Sequence, residues 1–303
     1  MSGSHGLIAG ALVERLESDG HAVHRVVRAR PKDGDAYLDL AQRSLDVSRL
    51  PDGSLGQIDV VFNLSGERIT PWRWSAAKRE RLRSSRILVT DLIARAIAAA
   101  DTPPTVFVSA SAVGIYGERG DEELDEQSAP GRGFLAELCR AWEDATEPAR
   151  HANVRVVHVR SGIVIARHNP LVSLQLPLFR LGLGASLGSG RHWFSWNALE
   201  DEVAALIHAA TNAEVEGPCN LTSPNPVRYR EFATTFARAV GSRARLAVPR
   251  VVLDAAIGTE ATREIALVSE RVLPRLLLDT GYQFKFPLLD EAFANAIGSR
   301  TRP

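Results

Sequence analysis

Apolar residues recur along the first half of the chain in two alternating rhythms. Residues 7–18 (LIAGALVERLES) place apolar side chains at 7, 8, 11, 12 and 16, the spacing of one helix face. Asp19-Gly20 follows as a helix stop, since glycine accepts the left-handed conformation past a helix end. The valine-rich run 21–27 (HAVHRVV) then predicts a strand, as do 58–64 (IDVVFNL), 105–110 (TVFVSA) and 154–164 (VRVVHVRSGIV). Helical stretches at 74–100 and 134–152 separate them. Near-continuous apolar strands alternating with helices predict an α/β fold with a parallel sheet covered on both faces.

After residue 165 the pattern loosens. Residues 176–190, rich in Gly and Leu, read as a loop region, and 192–196 as a short aromatic strand. Helices are expected at 200–211 and 229–240, strands at 218–222 and 243–248, and a largely helical tail over 251–278. The expected division is a first domain over 1–170, to which the segments around 192–223 return, and a smaller, mostly helical substrate lobe over 171–303.

Composition narrows the function classes. Of 303 residues, 45% are apolar and 24% charged, enough to bury a core. The 36 basic residues balance the 36 acidic ones, which argues against a nucleic-acid or anionic-membrane binder. The run 78–86 (KRERLRSSR) holds five basic residues and one acid, and reads as a solvated helix face because no aromatics are interleaved. Two distant cysteines, Cys139 and Cys219, suit a reducing compartment and not a disulfide framework. The scattered histidines give no ligand-like spacing, so no metal is expected. No apolar run is long enough to span a bilayer, and residues 1–10 lack a secretory pattern, so the expectation is a cytoplasmic chain.

Four stretches carry candidate chemistry. Gly3 and Gly6, three apart and just before a helix, let backbone approach a pyrophosphate, with Leu7 and Ile8 opening the helix N-terminus. The alternative is a terminus with incidental glycines. Past the next strand stand Arg28 and Arg30 where an NAD-preferring fold places an acid, which suits a 2′-phosphate; the alternative is a solvated basic turn. Asn63, Leu64, Ser65 and Gly66 end a buried strand, at the edge where open α/β sheets bind ligands. Ser109, Ser111 and Tyr116 lie at the end of the following strand, where hydroxyls can bond a carbonyl or alcohol whose charge changes.

The order GxxGxxA (3–9), NLSG (63–66) and SASAVGIYG (109–117) resembles the extended short-chain dehydrogenase/reductase superfamily. Further stretches resemble its atypical "epimerase family" branch: NLSGERI (63–69), Trp74, Ser85-Arg86, Asp121-Glu122, FLAELCRAWE (134–143), RSGIV (160–164), FRLGLG (179–184), GSGRHWFSW (188–196), NLTSPNPVR (220–228) and SERVLP (269–274). The resemblance spans nearly the whole chain. It implies a Rossmann doubly wound sheet that binds NADP(H) through the stretches above together with Arg86, Arg160, Gly162 and Ile163.

The resemblance also implies a catalytic Ser, Tyr and Lys, the last two as YxxxK on the helix after the Ser strand. Ser111 matches the serine. Leu135 and Cys139 stand at the Tyr and Lys positions, and neither can do that work. Tyr116 becomes the first candidate for the acid, with Glu67 and Cys139 behind it; the alternative for Tyr116 is a packed aromatic whose hydroxyl is satisfied. Asn197-Ala198 replaces an Ile-His pair of the branch. Only Met1 and Ser2 precede Gly3, so the first, central strand is expected to be missing: either the chain is shortened, or the sheet lacks its middle strand. The functional expectation is an NADP(H)-binding epimerase- or oxidoreductase-like protein acting on a small polar molecule, monomeric or homodimeric. The alternative is a catalytically silent NADP(H)-binding sensor or partner-binding module.

Overall fold

The structure, a computed structural model, describes residues 1–69 and 74–298. Its main sheet is built from β1 (Val26–Val27), β2 (Ala36–Asp39), β3 (Ser44–Asp46), β4 (Val60–Asn63), β5 (Val106–Ala112), β6 (Arg155–Ser161) and β7 (Gly217–Leu221). They lie side by side as β3-β2-β1, then the chain's first residues, then β4-β5-β6-β7. The edge strand β3 runs antiparallel to β2, and the other pairings are parallel. This is the doubly wound α/β arrangement, and Gly217–Leu221 returns to it from late in the chain.

The expected absence of the central strand is corrected in one respect. Met1 and Ser2 occupy its carboxyl end, and Ser2 bridges Val26 on one side and Asn63 on the other. Ser2 N donates to the Phe62 carbonyl at 2.9 Å and Val26 N to the Met1 carbonyl at 2.7 Å. The Met1 amino group donates to the His24 carbonyl at 2.6 Å. The stub thus joins the two halves of the sheet at the edge where the glycine loop leaves it. Of residues 21–25, expected as strand, His24 and Arg25 accept at their carbonyls from Met1 N at 2.6 Å and Ala36 N at 2.8 Å, and the strand pairing itself begins at Val26.

Side chains of each strand alternate between the faces. Val106 and Val108 of β5 join Val157, Val159, Leu221 and Leu12 of α1 (Leu7–Ser18) on one face, covered by the helix Leu199–Thr211. Phe107 joins Val61, Val156, Ile93 and Ile97 on the other face, under the helices that follow β4. Those are α2 (Ala76–Arg83) and α3 (Val89–Ala98), joined by a π-helical turn, Ser84–Leu88, where one continuous helix was expected. A third cluster packs Trp196, Phe179, Phe232, Phe236 and Phe293 in the later part of the chain, with the Phe179 and Phe236 rings stacked at 4.2 Å.

Other departures have local causes. The strand expected over 154–164 breaks at Gly162, where a Cβ would lie 2.9 Å from the Ser195 carbonyl oxygen. Ile163–Ile165 instead pairs in parallel with Trp196–Ala198. Part of the expected 176–190 loop is helix: Pro170–Arg180 starts on Asn169, whose side chain accepts from Leu171 N at 2.9 Å. The helix expected over 134–152 is α4 (Phe134–Asp144) followed by a separate turn, Glu147–His151.

Candidate functional site

The stub, the glycine loop and the carboxyl ends of β1, β4 and β5 meet at one edge of the sheet. Gly3 has φ +73°, and a Cβ there would stand 2.5 Å from the Leu64 carbonyl oxygen, so only glycine lets the loop lie this close to residues 64–65. Gly6 is the residue before α1, and no side chain caps that helix end. Leu7 and Ile8 form its first turn. The uncapped N–H groups and the positive end of the helix dipole therefore face the loop after β4. Ser4 Oγ in this loop and Ser109 Oγ on β5 are buried with no hydrogen-bond partner among the described residues.

Arg28 and Arg30 follow β1 as exposed residues, Arg30 with φ +51°, and neither forms an ion pair among the described residues. Gly66 is exposed, and a Cβ on it would lie 3.0 Å from the Arg86 guanidinium carbon. Arg86 sits on the π-helical turn, donates to the Glu67 carbonyl at 3.0 Å and stacks 4.9 Å from the Trp142 ring. Burial lowers its pKa, offset by Cys139 and Glu67 nearby.

Several candidates are engaged with partners inside the protein. Asn63 is 0% exposed: its Oδ1 accepts from Ser2 Oγ at 2.6 Å and its Nδ2 donates to Thr90 Oγ1 at 2.7 Å. Its side chain braces the stub. Trp142 Nε1 donates to the same Thr90 hydroxyl at 2.9 Å. Tyr116 is 0% exposed. Its hydroxyl accepts from Arg160 Nη1 at 2.9 Å and shares its proton between Asn220 Oδ1 at 2.8 Å and the Asp125 carbonyl at 2.9 Å. Burial pushes its pKa up to about 12.

Arg160 is likewise engaged, through Nε and Nη2 on the two oxygens of Glu143, each at 2.9 Å. Burial works against the Glu143 charge, but the hydrogen bonds from Arg160 hold its pKa below the usual carboxylate value. Ser111 Oγ donates to Glu143 at 2.6 Å, so this hydroxyl too is committed within the protein. Gly162 is explained by the close crossing of Ser195, whereas Ile163 presents its side chain to solvent beside it. Glu67 is held by Lys78 at 2.6 Å and Arg81 at 3.3 Å, which lower its pKa. Cys139 is buried, and burial first, then Glu143, push its thiol up to about 12.

Sequence reasoning missed the groups that hold this region, Glu143 and Asn220, and also Glu270, which lines a cavity of about 560 Å³ together with Leu135 and Gly114. A family model described as the NAD dependent epimerase/dehydratase family matches residues 1–222. The chain belongs to this family. It is of the atypical epimerase branch of the short-chain dehydrogenase/reductase superfamily, and a domain of unknown function, DUF1731, matches residues 248–296. A Mycobacterium tuberculosis relative, "Epimerase family protein MT2273", is 40% identical over all of this chain and 97% of its own length. The crystal structure of human epimerase family protein SDR39U1 with NADPH superposes with a TM-score of 0.88 at 33% identity, covering 98% of each chain. A nucleoside-diphosphate sugar epimerase structure from Corynebacterium glutamicum gives a TM-score of 0.79 at 33% identity, over 98% of this chain and 57% of that one.

Proposed function

We propose that this epimerase-family chain is an NADP(H)-dependent oxidoreductase or epimerase-like enzyme acting on a small polar molecule that carries a carbonyl or alcohol. The observation that carries the reading is the cradle at Gly3. Its backbone lies against Leu64, leaves the uncapped N-terminus of α1 open, and places two unpaired arginines beyond the neighbouring strand. The human relative's crystal structure holds NADPH, which supports the same cofactor here. The residues fit it: Gly3, Gly6, Leu7 and Ile8 would receive the pyrophosphate by backbone, and Arg28 and Arg30 the 2′-phosphate. Leu64, Ser65 and Gly66 would line the same cleft, with Arg86 behind them and Ser109, Gly162 and Ile163 at the strand ends. Bound there, the cofactor would supply hydride exchange. Arg160 and Ser111, bonded to Glu143, and Tyr116, bonded to Arg160, act in this reading as positioning residues.

The first 170 residues, with the returning β7, would then bind cofactor, and the lobe from residue 171 onward would complete the substrate side. The chain would act in the cytoplasm as a monomer or homodimer. Fluorescence titration tests the cofactor assignment. NADPH is expected to bind more tightly than NADH, and Arg28→Ala with Arg30→Ala to erase the difference, a loss of about 1.5–3 kcal/mol for each charge-assisted bond. Equal affinity for NADH and NADPH in the unsubstituted chain would overturn it. The positions of Leu135 and Cys139 favour a second reading, a silent NADP(H)-binding sensor or partner-binding module. That reading gains if NADPH binds and no carbonyl compound is turned over.

A further inference from the structure

The cavity of about 560 Å³ is lined by the start of α4, the loop residues 117–119 and 130–133, and the segment 263–270. Leu135 and Ala136 line it on the α4 side, and Gly114, just past β5, packs within ordinary contact of Leu135. Leu135 stands where the superfamily resemblance places its acid/base, so this wall is where a reacting oxygen would need a proton. Glu270 lines the same cavity. The residue is 9% exposed, and its carboxyl accepts no hydrogen bond and joins no ion pair among the described residues. A carboxyl this shielded and without a partner is costly to ionise. Its own backbone is firmly held: the Glu270 carbonyl accepts from Ser195 Oγ at 2.6 Å. Glu118, whose own oxygens are occupied by Ser269 N at 2.7 Å and Gly120 N at 3.1 Å, adds a second negative charge nearby.

We propose that Glu270 is a catalytic residue of this chain: as a neutral carboxylic acid in the cavity it gives a proton to the oxygen of a bound carbonyl compound, in place of the tyrosine that Leu135 replaces. The proposal rests on the NADP(H) reading above. In the reducing direction the carbonyl carbon gains a hydride from NADPH and the C=O π bond becomes a C–O single bond. The Glu270 O–H bond breaks, its proton goes to that oxygen, and the products are an alcohol, NADP⁺ and the Glu270 carboxylate. Water reprotonates the carboxylate; the oxidising direction is the reverse. Burial and Glu118 push the Glu270 pKa up to about 8, so the acid form prevails at neutral pH. The charged groups around it are Glu118, Arg119, Arg132, Arg263 and Glu264 of the cavity wall, with the neutral Cys139 thiol behind. Arg119 is committed to Glu122, and Arg263 to Glu264, which itself caps α4 through Phe134 N and Leu135 N.

The test uses the full chain, Glu270→Gln and Glu270→Asp, with folding checked by thermal melting. Difference infrared between the unliganded wild type and Glu270→Gln at pH 7 should show one neutral carboxylic acid in the wild type that disappears as pH rises through about 8. Turnover of NADPH with a panel of small quinones and α-diketones should fall over the same pH interval. Glu270→Gln should lose about 100-fold in kcat while its NADPH Kd, read by fluorescence, is unchanged. Glu270→Asp should keep a pH-dependent residue of activity. A carboxylate already ionised at pH 7, a Glu270→Gln variant as fast as wild type, or a wild type that binds NADPH and turns over no probe each overturns the assignment to Glu270 and leaves cofactor binding standing. Failure to bind NADPH at all overturns the cofactor reading and this proposal with it.

Discussion

Replacing Glu202 by glutamine should change how the stability of this chain depends on pH. Glu202 lies on the helix Leu199–Thr211 at 1% exposure. Its Oε1 accepts from Ser161 Oγ at 2.5 Å and its Oε2 from Asn197 Nδ2 at 3.0 Å, and no cation is paired with it among the described residues. Burial outweighs both hydrogen bonds and raises its pKa from 4.5 to about 7. The folded chain therefore holds a proton between these two values that the unfolded chain releases. Stability from this group is whole below pH 4.5, falls as pH rises through the interval, and levels off above about 7. At 1.36 kcal/mol per pKa unit the loss is about 3 kcal/mol. Glutamine is neutral at every pH. Its oxygen can still accept from Ser161, and its amide can donate to Asn197 Oδ1, a buried atom with no partner, once the Asn197 amide turns over. Urea unfolding of both proteins at pH 5, 6, 7 and 8 isolates the effect from every other titrating group. Glu202→Gln should gain on the wild type by about 2.5 kcal/mol between pH 5 and pH 8, since part of the loss is already present at pH 5. A difference between the two that does not change with pH would refute the reasoning.

Three other perturbations follow from the geometry. Gly3→Ala places a methyl group 2.5 Å from the Leu64 carbonyl oxygen, at φ +73°, so NADPH affinity should fall at least tenfold (~1.4 kcal/mol), read by fluorescence titration, and the melting temperature should drop. Glu143→Ala leaves Arg160 buried without its two carboxylate bonds and frees Ser111 Oγ, so unfolding free energy should fall by about 3–5 kcal/mol in urea titration. Fusing a five-residue valine-rich segment ahead of Met1 should continue the ladder that Met1 and His24 begin. At roughly 1 kcal/mol per net hydrogen bond it should raise the melting temperature by several degrees and tighten NADPH binding; no rise would mean that residues 21–25 do not accept a neighbour.

What the sequence revealed and what it withheld divide by distance along the chain. The periodicity of 7–18, the Asp19-Gly20 stop and the valine runs of β4 to β6 are local signals, and they located α1 and the central strands to within a few residues. The Asn169-Pro170 helix start was equally local, but the Gly- and Leu-rich residues after it drew the reading toward a loop. The role of Met1 and Ser2 was out of reach, because their partners lie at His24, Val26, Phe62 and Asn63. The same holds at the site. The motif over 109–117 does end at the sheet edge, yet what Ser111 and Tyr116 can do is decided by Glu143, Arg160 and Asn220, which arrive from another helix and two other strands and occupy both hydroxyls. A hydroxyl at the right place in the sequence is a proton donor only if the fold leaves it unspent. In the proposed reading that criterion points to Glu270 of the SERVLP stretch, a carboxyl that lines one cavity with Leu135 and has no hydrogen-bond or ion-pair partner among the described residues.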